Sequence, residues 1–186
     1  MTVIVSPEAV VGTTIAFSYI LFGNAITQSF MGVPALLVDF PKPSAPGHAE
    51  RARLLGRQWP VFWAVGNVFF RPISTLGIFG YGYTAWVARA GGAAGTARLG
   101  DWRWYAVAAA CHLVTVVHSA VNMQPINEKL DALSEPAVDG KDGKKVEARL
   151  AESYARNWIS YNTVRLITPV VAGSLALWQT LKGAAV

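Results

Sequence analysis

Charge is what this chain lacks. Asp, Glu, Lys and Arg make up 15% of its 186 residues, apolar residues make up 53%, and mean hydropathy is +0.34. A soluble domain carries about a quarter charged residues, so an ordinary soluble enzyme is excluded. Cysteine is almost absent too. Cys111 stands alone, which excludes an intramolecular disulfide and a cysteine zinc site. No Asn-x-Ser/Thr acceptor and no internal repeat occurs. Acidic groups are missing from every span interior, which argues against a carboxylate di-iron or calcium centre. No Lys or Arg precedes the first apolar stretch, and that stretch is too long for a signal-peptide core, so it is expected to remain as a membrane helix.

What the chain does have is long uncharged runs. Ala9 to Val38 carries no Asp, Glu, Lys or Arg, and neither does Trp104 to Asn127. Gln58 to Ala88 carries only Arg71, and Asn157 to Leu181 only Arg165. About 20 apolar residues cross a bilayer as a helix, and a backbone in lipid must satisfy its own hydrogen bonds. The sequence therefore predicts one all-α domain over residues 1–186, an integral membrane four-helix bundle. Its spans run over about 8–38, 58–89, 102–124 and 153–182, with a mobile polar turn at about 136–145. Pro7 and Pro60 fit first turns, while Pro34 and Pro125 are expected to kink or end their helices. All seven tryptophans fall near predicted span ends, as an aromatic belt would place them.

Orientation follows from the basic residues. The side with both termini and the middle loop has Arg89, Arg98, Arg103 and Lys182, whereas loops 39–57 and 128–156 carry ten Lys and Arg. By the positive-inside rule the two long loops face the cytosol, in the endoplasmic reticulum if the source is eukaryotic. The net charge of +5 is thus a matter of orientation and anionic lipid, with no nucleic-acid partner. A homo-oligomer stays open.

The costly residues are the polar ones inside the spans. Asn24 and Gln28, Asn67 and Arg71, and His118 and Asn122 are i, i+4 pairs, and Asn162 precedes Arg165 by three. Counted from the predicted cytosolic ends at about 1.5 Å per residue, these groups lie roughly 12 to 23 Å deep. They are therefore expected to form a polar pocket in the cytosolic half of the bundle. A buried arginine costs a few kcal/mol, about 3 on insertion scales, and normally serves a purpose. The carboxamides would serve equally as interhelical glue. His118 is the natural acid–base group. His112, six residues earlier, is expected to face elsewhere, and His48 is assigned to a loop without a role.

Asn122-Met-Gln-Pro125-Ile126-Asn127-Glu-Lys-Leu130, followed by Trp158-x3-Asn162-x2-Arg165, resembles the anthrone oxygenase family of small four-helix membrane proteins. The matching positions are Pro125, Asn127, Leu130, Trp158, Asn162 and Arg165. The resemblance implies oxidation of an anthrone-like polycyclic phenol to a quinone with O2, a monooxygenase-like step of aromatic polyketide biosynthesis in secondary metabolism. His118, Arg71, Arg165, Asn122 and Asn162 are the expected catalytic groups. Asn67, Gln28, Asn24, Trp63, Trp158, Tyr161 and Asn127 are expected to bind a hydrophobic polycyclic aromatic molecule. No cofactor is expected; O2 is a co-substrate, and His118 is the only ligand candidate for a single metal. A structural reading competes, in which Pro125 ends a helix and Asn127 caps the next. So does a non-enzymatic transporter or accessory subunit with a polar bundle core.

Overall fold

The computed structural model describes residues 6–135 and 148–184, so the predicted turn at 136–145 lies outside the described residues. Every regular element among them is helical. In chain order these are α1 (Pro7–Thr27), a π-turn π1 (Gln28–Gly32), α2 (Val33–Leu36), α3 (His48–Val65), π2 (Gly66–Phe70) and α4 (Arg71–Ala90). They continue with α5 (Gly92–Leu99), α6 (Trp102–His118), π3 (Ser119–Met123), α7 (Gln124–Ala132) and α8 (Ala151–Ala184). Joined end to end they make four helices apolar enough to cross a membrane: Pro7–Leu36, His48–Ala90, Trp102–Ala132 and Ala151–Gly183. Large apolar side chains such as Phe30, Val68, Phe79, Val121 and Ile167 point outward. That is costly in water and ordinary in lipid. The chain is a multi-pass membrane protein of the all-α class.

Two expected boundaries move. The second long helix starts at His48, 12 residues before Pro60, so Pro60 lies inside a helix rather than in its first turn. Gly47, in the left-handed region at φ 81°, makes the entry that a side-chain-bearing residue resists. The connection 91–100, expected as a loop, is mostly the short helix α5. His48 is likewise not a loop residue. It is buried at the start of α3, with Nδ1 2.7 Å from the Pro41 carbonyl and Nε2 2.9 Å from that of Ala148.

The π-turns have a common cause. Each ends two residues before a proline: Gly32 before Pro34, Phe70 before Pro72 and Met123 before Pro125. A proline in a helix donates no hydrogen bond, and its ring presses on the carbonyl four residues back. Those carbonyls belong to Phe30, Val68 and Val121, all inside π-turns. Widening the turn by one residue relieves the clash and shifts the bonds to i−5, as from Val33 N–H to the Gln28 carbonyl and Gln124 N–H to that of Ser119. Pro60 and Pro169 stay in regular α-helix, so proline permits this outcome without compelling it.

Contacts divide the chain into two compact units, each gathering a segment of all four long helices. Unit 1 comprises residues 1–24, 70–117 and 164–186, and unit 2 comprises 25–69 and 118–163. The core of unit 1 is rich in alanine: Ala85, Ala88, Ala108, Ala172 and Ala176 surround Tyr81 and Tyr105. Small residues let membrane helices approach closely, where packing and hydrogen bonds replace a hydrophobic drive. The core of unit 2 is larger-grained, with Leu55, Trp59, Met123, Leu130 and Trp158.

Candidate functional site

Nine of the twelve expected site residues lie in unit 2: Gln28, Trp63, Asn67, His118, Asn122, Asn127, Trp158, Tyr161 and Asn162. Asn24, Arg71 and Arg165 lie in unit 1. Arg71 is exposed at the start of α4, and Arg165 is half-buried on α8.

Unit 2 is organised around Asn127. Its Oδ1 accepts the indole N–H of Trp59 at 3.2 Å and that of Trp158 at 2.9 Å. The two rings meet edge to face with centroids 5.5 Å apart, a favoured aromatic geometry. A buried indole N–H needs a partner, and one carbonyl oxygen with two lone pairs serves both. Trp59 and Trp158 are therefore core anchors, contrary to their expected place in an aromatic belt. Asn127 sits in the fourth position of α7 and holds tryptophans, which its expected roles as cap or ligand group did not include.

Helix directions within unit 2 follow from paired contacts. Gly56 abuts Leu133 while Trp59 meets Asn127, so α3 and α7 run antiparallel. Asn127 meets Trp158 while His118 meets Tyr161, so α8 opposes the third long helix as well. Helices α3 and α8 are therefore parallel. Trp63 and Asn162, each four residues beyond the paired Trp59 and Trp158, come level on corresponding faces one turn further on. The first long helix reaches the same level, because Asn162 Nδ2 donates to the Ala25 carbonyl at 3.2 Å and to Ser29 Oγ at 2.8 Å. The Ala25 carbonyl lies where the ladder changes into π1, and as a pure acceptor it fixes which way the Asn162 amide points.

This level keeps open polar atoms. Asn162 Oδ1, Gln28 Oε1 and Trp63 Nε1 are buried without a hydrogen-bond partner. Asn162 is fully buried and Gln28 nearly so. Asn67 is half-buried, on π2.

His118 forms the neighbouring polar group. Its Nε2 lies 2.9 Å from the Tyr161 carbonyl, and its Nδ1 lies 3.0 Å from Asn122 Nδ2. The carbonyl can only accept, so Nε2 carries the proton and Nδ1 holds its lone pair toward the amide. The Tyr161 ring stands 6.0 Å from the imidazole. Thus His118, Asn122 and Tyr161 come together as a set. A metal on His118 would displace one of these bonds, and among the described residues no three His, Cys, Asp or Glu side chains cluster.

His112, expected to face away from His118, is fully buried in unit 1. Its Nε2 is 2.9 Å from Ser18 Oγ, which is 2.8 Å from the Tyr81 hydroxyl, and its Nδ1 is 3.2 Å from the Ser74 carbonyl. Gly77 makes room for the ring: a Cβ there would stand 2.2 Å from Nδ1. The Gly77 and Gly80 spacing could have signalled such close packing.

The sequence pattern of the anthrone oxygenase family matches residues 59–175. The chain belongs to the anthrone oxygenase family. No curated protein and no solved structure matches it. The match runs from Trp59 through Asn127, Trp158 and Asn162, so it includes both indoles held by Asn127. In this chain, at least part of the recognisable family motif therefore acts by holding helices together.

Proposed function

We propose that this protein is a membrane-embedded oxygenase that converts an anthrone-like polycyclic phenol to the quinone with O2. The family membership supports the reaction class, and the His118–Asn122–Tyr161 cluster supports a base within unit 2. An anthrone has an acidic methylene between two aryl rings, beside a carbonyl. His118 Nδ1 removes one methylene proton once Asn122 yields the nitrogen, while the Tyr161 carbonyl holds the tautomer through Nε2–H. The electron pair moves to the ketone oxygen as an enolate, and the carbanionic carbon reduces O2 to form a C–O bond. Loss of the second methylene proton and of hydroxide from the peroxide leaves the new carbonyl and one water. Anthrone and O2 thus balance quinone and water with no other reductant.

Asn122 and Asn162 are proposed to hold the peroxide. Trp63, Trp158 and Tyr161 are proposed as flat apolar walls, with Gln28, Asn24, Asn67 and Asn127 as polar contacts. Arg71 and Arg165 are proposed to stabilise the charge on the enolate oxygen. No cofactor takes part, and loops 39–57 and 128–156 face the cytosol. In context this is a step of aromatic polyketide biosynthesis.

The test is oxygen uptake by purified protein in lipid nanodiscs with an anthrone, beside metal analysis. His118→Ala is expected to lower turnover at least about 100-fold, the usual contribution of a general base, with thermal stability within about 1 kcal/mol. Full turnover by His118→Ala sinks the assignment, and stoichiometric iron or copper required for turnover sinks the cofactor-free step.

A further inference from the structure

Three unpartnered atoms remain at one level of unit 2, on three different helices. Asn162 Oδ1 and Gln28 Oε1 are acceptors, and Trp63 Nε1–H is a donor. Each carries a desolvation penalty that nothing among the described residues offsets. Asn162 cannot turn to help itself, because its Nδ2 is committed to the Ala25 carbonyl and Ser29. Trp63 cannot reuse the solution found one turn earlier, because Asn127 Oδ1 already takes the two indoles of Trp59 and Trp158.

The complement of one N–H and two amide oxygens is a group with two protons to give and one oxygen to receive. Resting on the oxygenase reading, we infer that this level binds the neutral hydroxyl edge of a dihydroxylated aromatic ligand. One hydroxyl oxygen accepts the Trp63 N–H and donates to one amide oxygen. The second hydroxyl donates to the other. A phenolate has lost a proton and would turn negative charge toward two carbonyl dipoles, and an aryl methyl ether has no proton to give. The site therefore discriminates by hydroxyl protons. Sites built to bond a hydroxyl reject analogues without it far better than apolar pockets judge size.

The experiment is equilibrium binding without oxygen, in nanodiscs, with protein-free nanodiscs of the same lipid as baseline. The probes are 1,8- and 2,3-dihydroxynaphthalene, 2-naphthol, and the dimethyl ethers of the two diols. At least one diol is expected to bind saturably and about tenfold tighter than its dimethyl ether, with 2-naphthol between. Gln28→Met and Trp63→Phe each keep side-chain bulk and remove one polar partner. Each is expected to shrink the diol-to-ether ratio to about threefold or less, with helix content unchanged by circular dichroism. Equal affinity for diol and ether, ratios unchanged in both variants, or no saturable binding, as when a single water fills the level, overturns the inference. The oxygenase reading fails separately. Selective diol binding with no anthrone-dependent oxygen uptake sinks the reaction and leaves the hydroxyl site, while uptake without diol selectivity does the reverse.

Discussion

The two units draw on the same four long helices and differ in how fully they satisfy their polar groups. In unit 1, Ser18, Tyr81, His112 and the Ser74 carbonyl form a chain in which most members serve a neighbour. Glycine and alanine bring the helices close enough for those bonds. In unit 2, aromatic and aliphatic bulk sets the spacing, Asn127 closes one level, and the next keeps two acceptors and a donor open. The contrast is one of degree, since Asn24 Nδ2 and Ser74 Oγ are open in unit 1. A tightly satisfied network specifies packing. A level with two acceptors and a donor left unpartnered on three helices is where the inferred hydroxyl ligand would bond.

Substitutions can break this comparison on either side. The largest effect is expected from Gly77→Ala, whose Cβ would press on the His112 ring. The His112 ring is held on both nitrogens and cannot move aside freely, so the loss should be about 3 kcal/mol, read by thermal unfolding in detergent. Asn127→Leu strands two buried indole N–H groups and should cost about 2 kcal/mol; tryptophan fluorescence should shift because both rings lose their acceptor. Asn162→Leu removes two donated bonds but also one unpartnered oxygen, so about 1 kcal/mol is expected in a denaturant series. A loss as large as that of Asn127→Leu would mean that unit 2 depends on this level for stability. Glu152→Gln weakens the exposed i, i+4 pair with Arg156, whose bond is 2.7 Å; a change below about 0.5 kcal/mol is expected.

The architecture was legible because lipid demands long uncharged runs, and a count of charges finds those directly. The family was legible through Pro125, Asn127, Trp158, Asn162 and Arg165, which the match spanning 59–175 contains. The interior of the site was less so. His118 and Asn122 were expected together from their i, i+4 spacing, and they are bonded. The pairing of Trp59 with Trp158 across two helices has no local signature, and charge counting placed both at an interface. The angular offset of His112 from His118 predicts that the two face different surroundings, and says nothing of the Ser18 and Ser74 partners that hold His112 in unit 1. His48 was passed over because proline-rich sequence and charge masked the start of α3. Tertiary partners, which periodicity does not encode, decided all three.

The π-turns bear on how this chain tolerates length changes. Each holds one residue more than a regular α-turn, so everything beyond it is rotated by about 100° relative to an uninterrupted helix. Deleting one residue from Gln28–Gly32, Gly66–Phe70 or Ser119–Met123 would restore an ordinary ladder and leave the adjoining segment facing its present neighbours. These three places are thus where a membrane helix could lose one residue without re-aiming the half beyond it, whereas the same loss in a regular stretch would turn that half by about 100°.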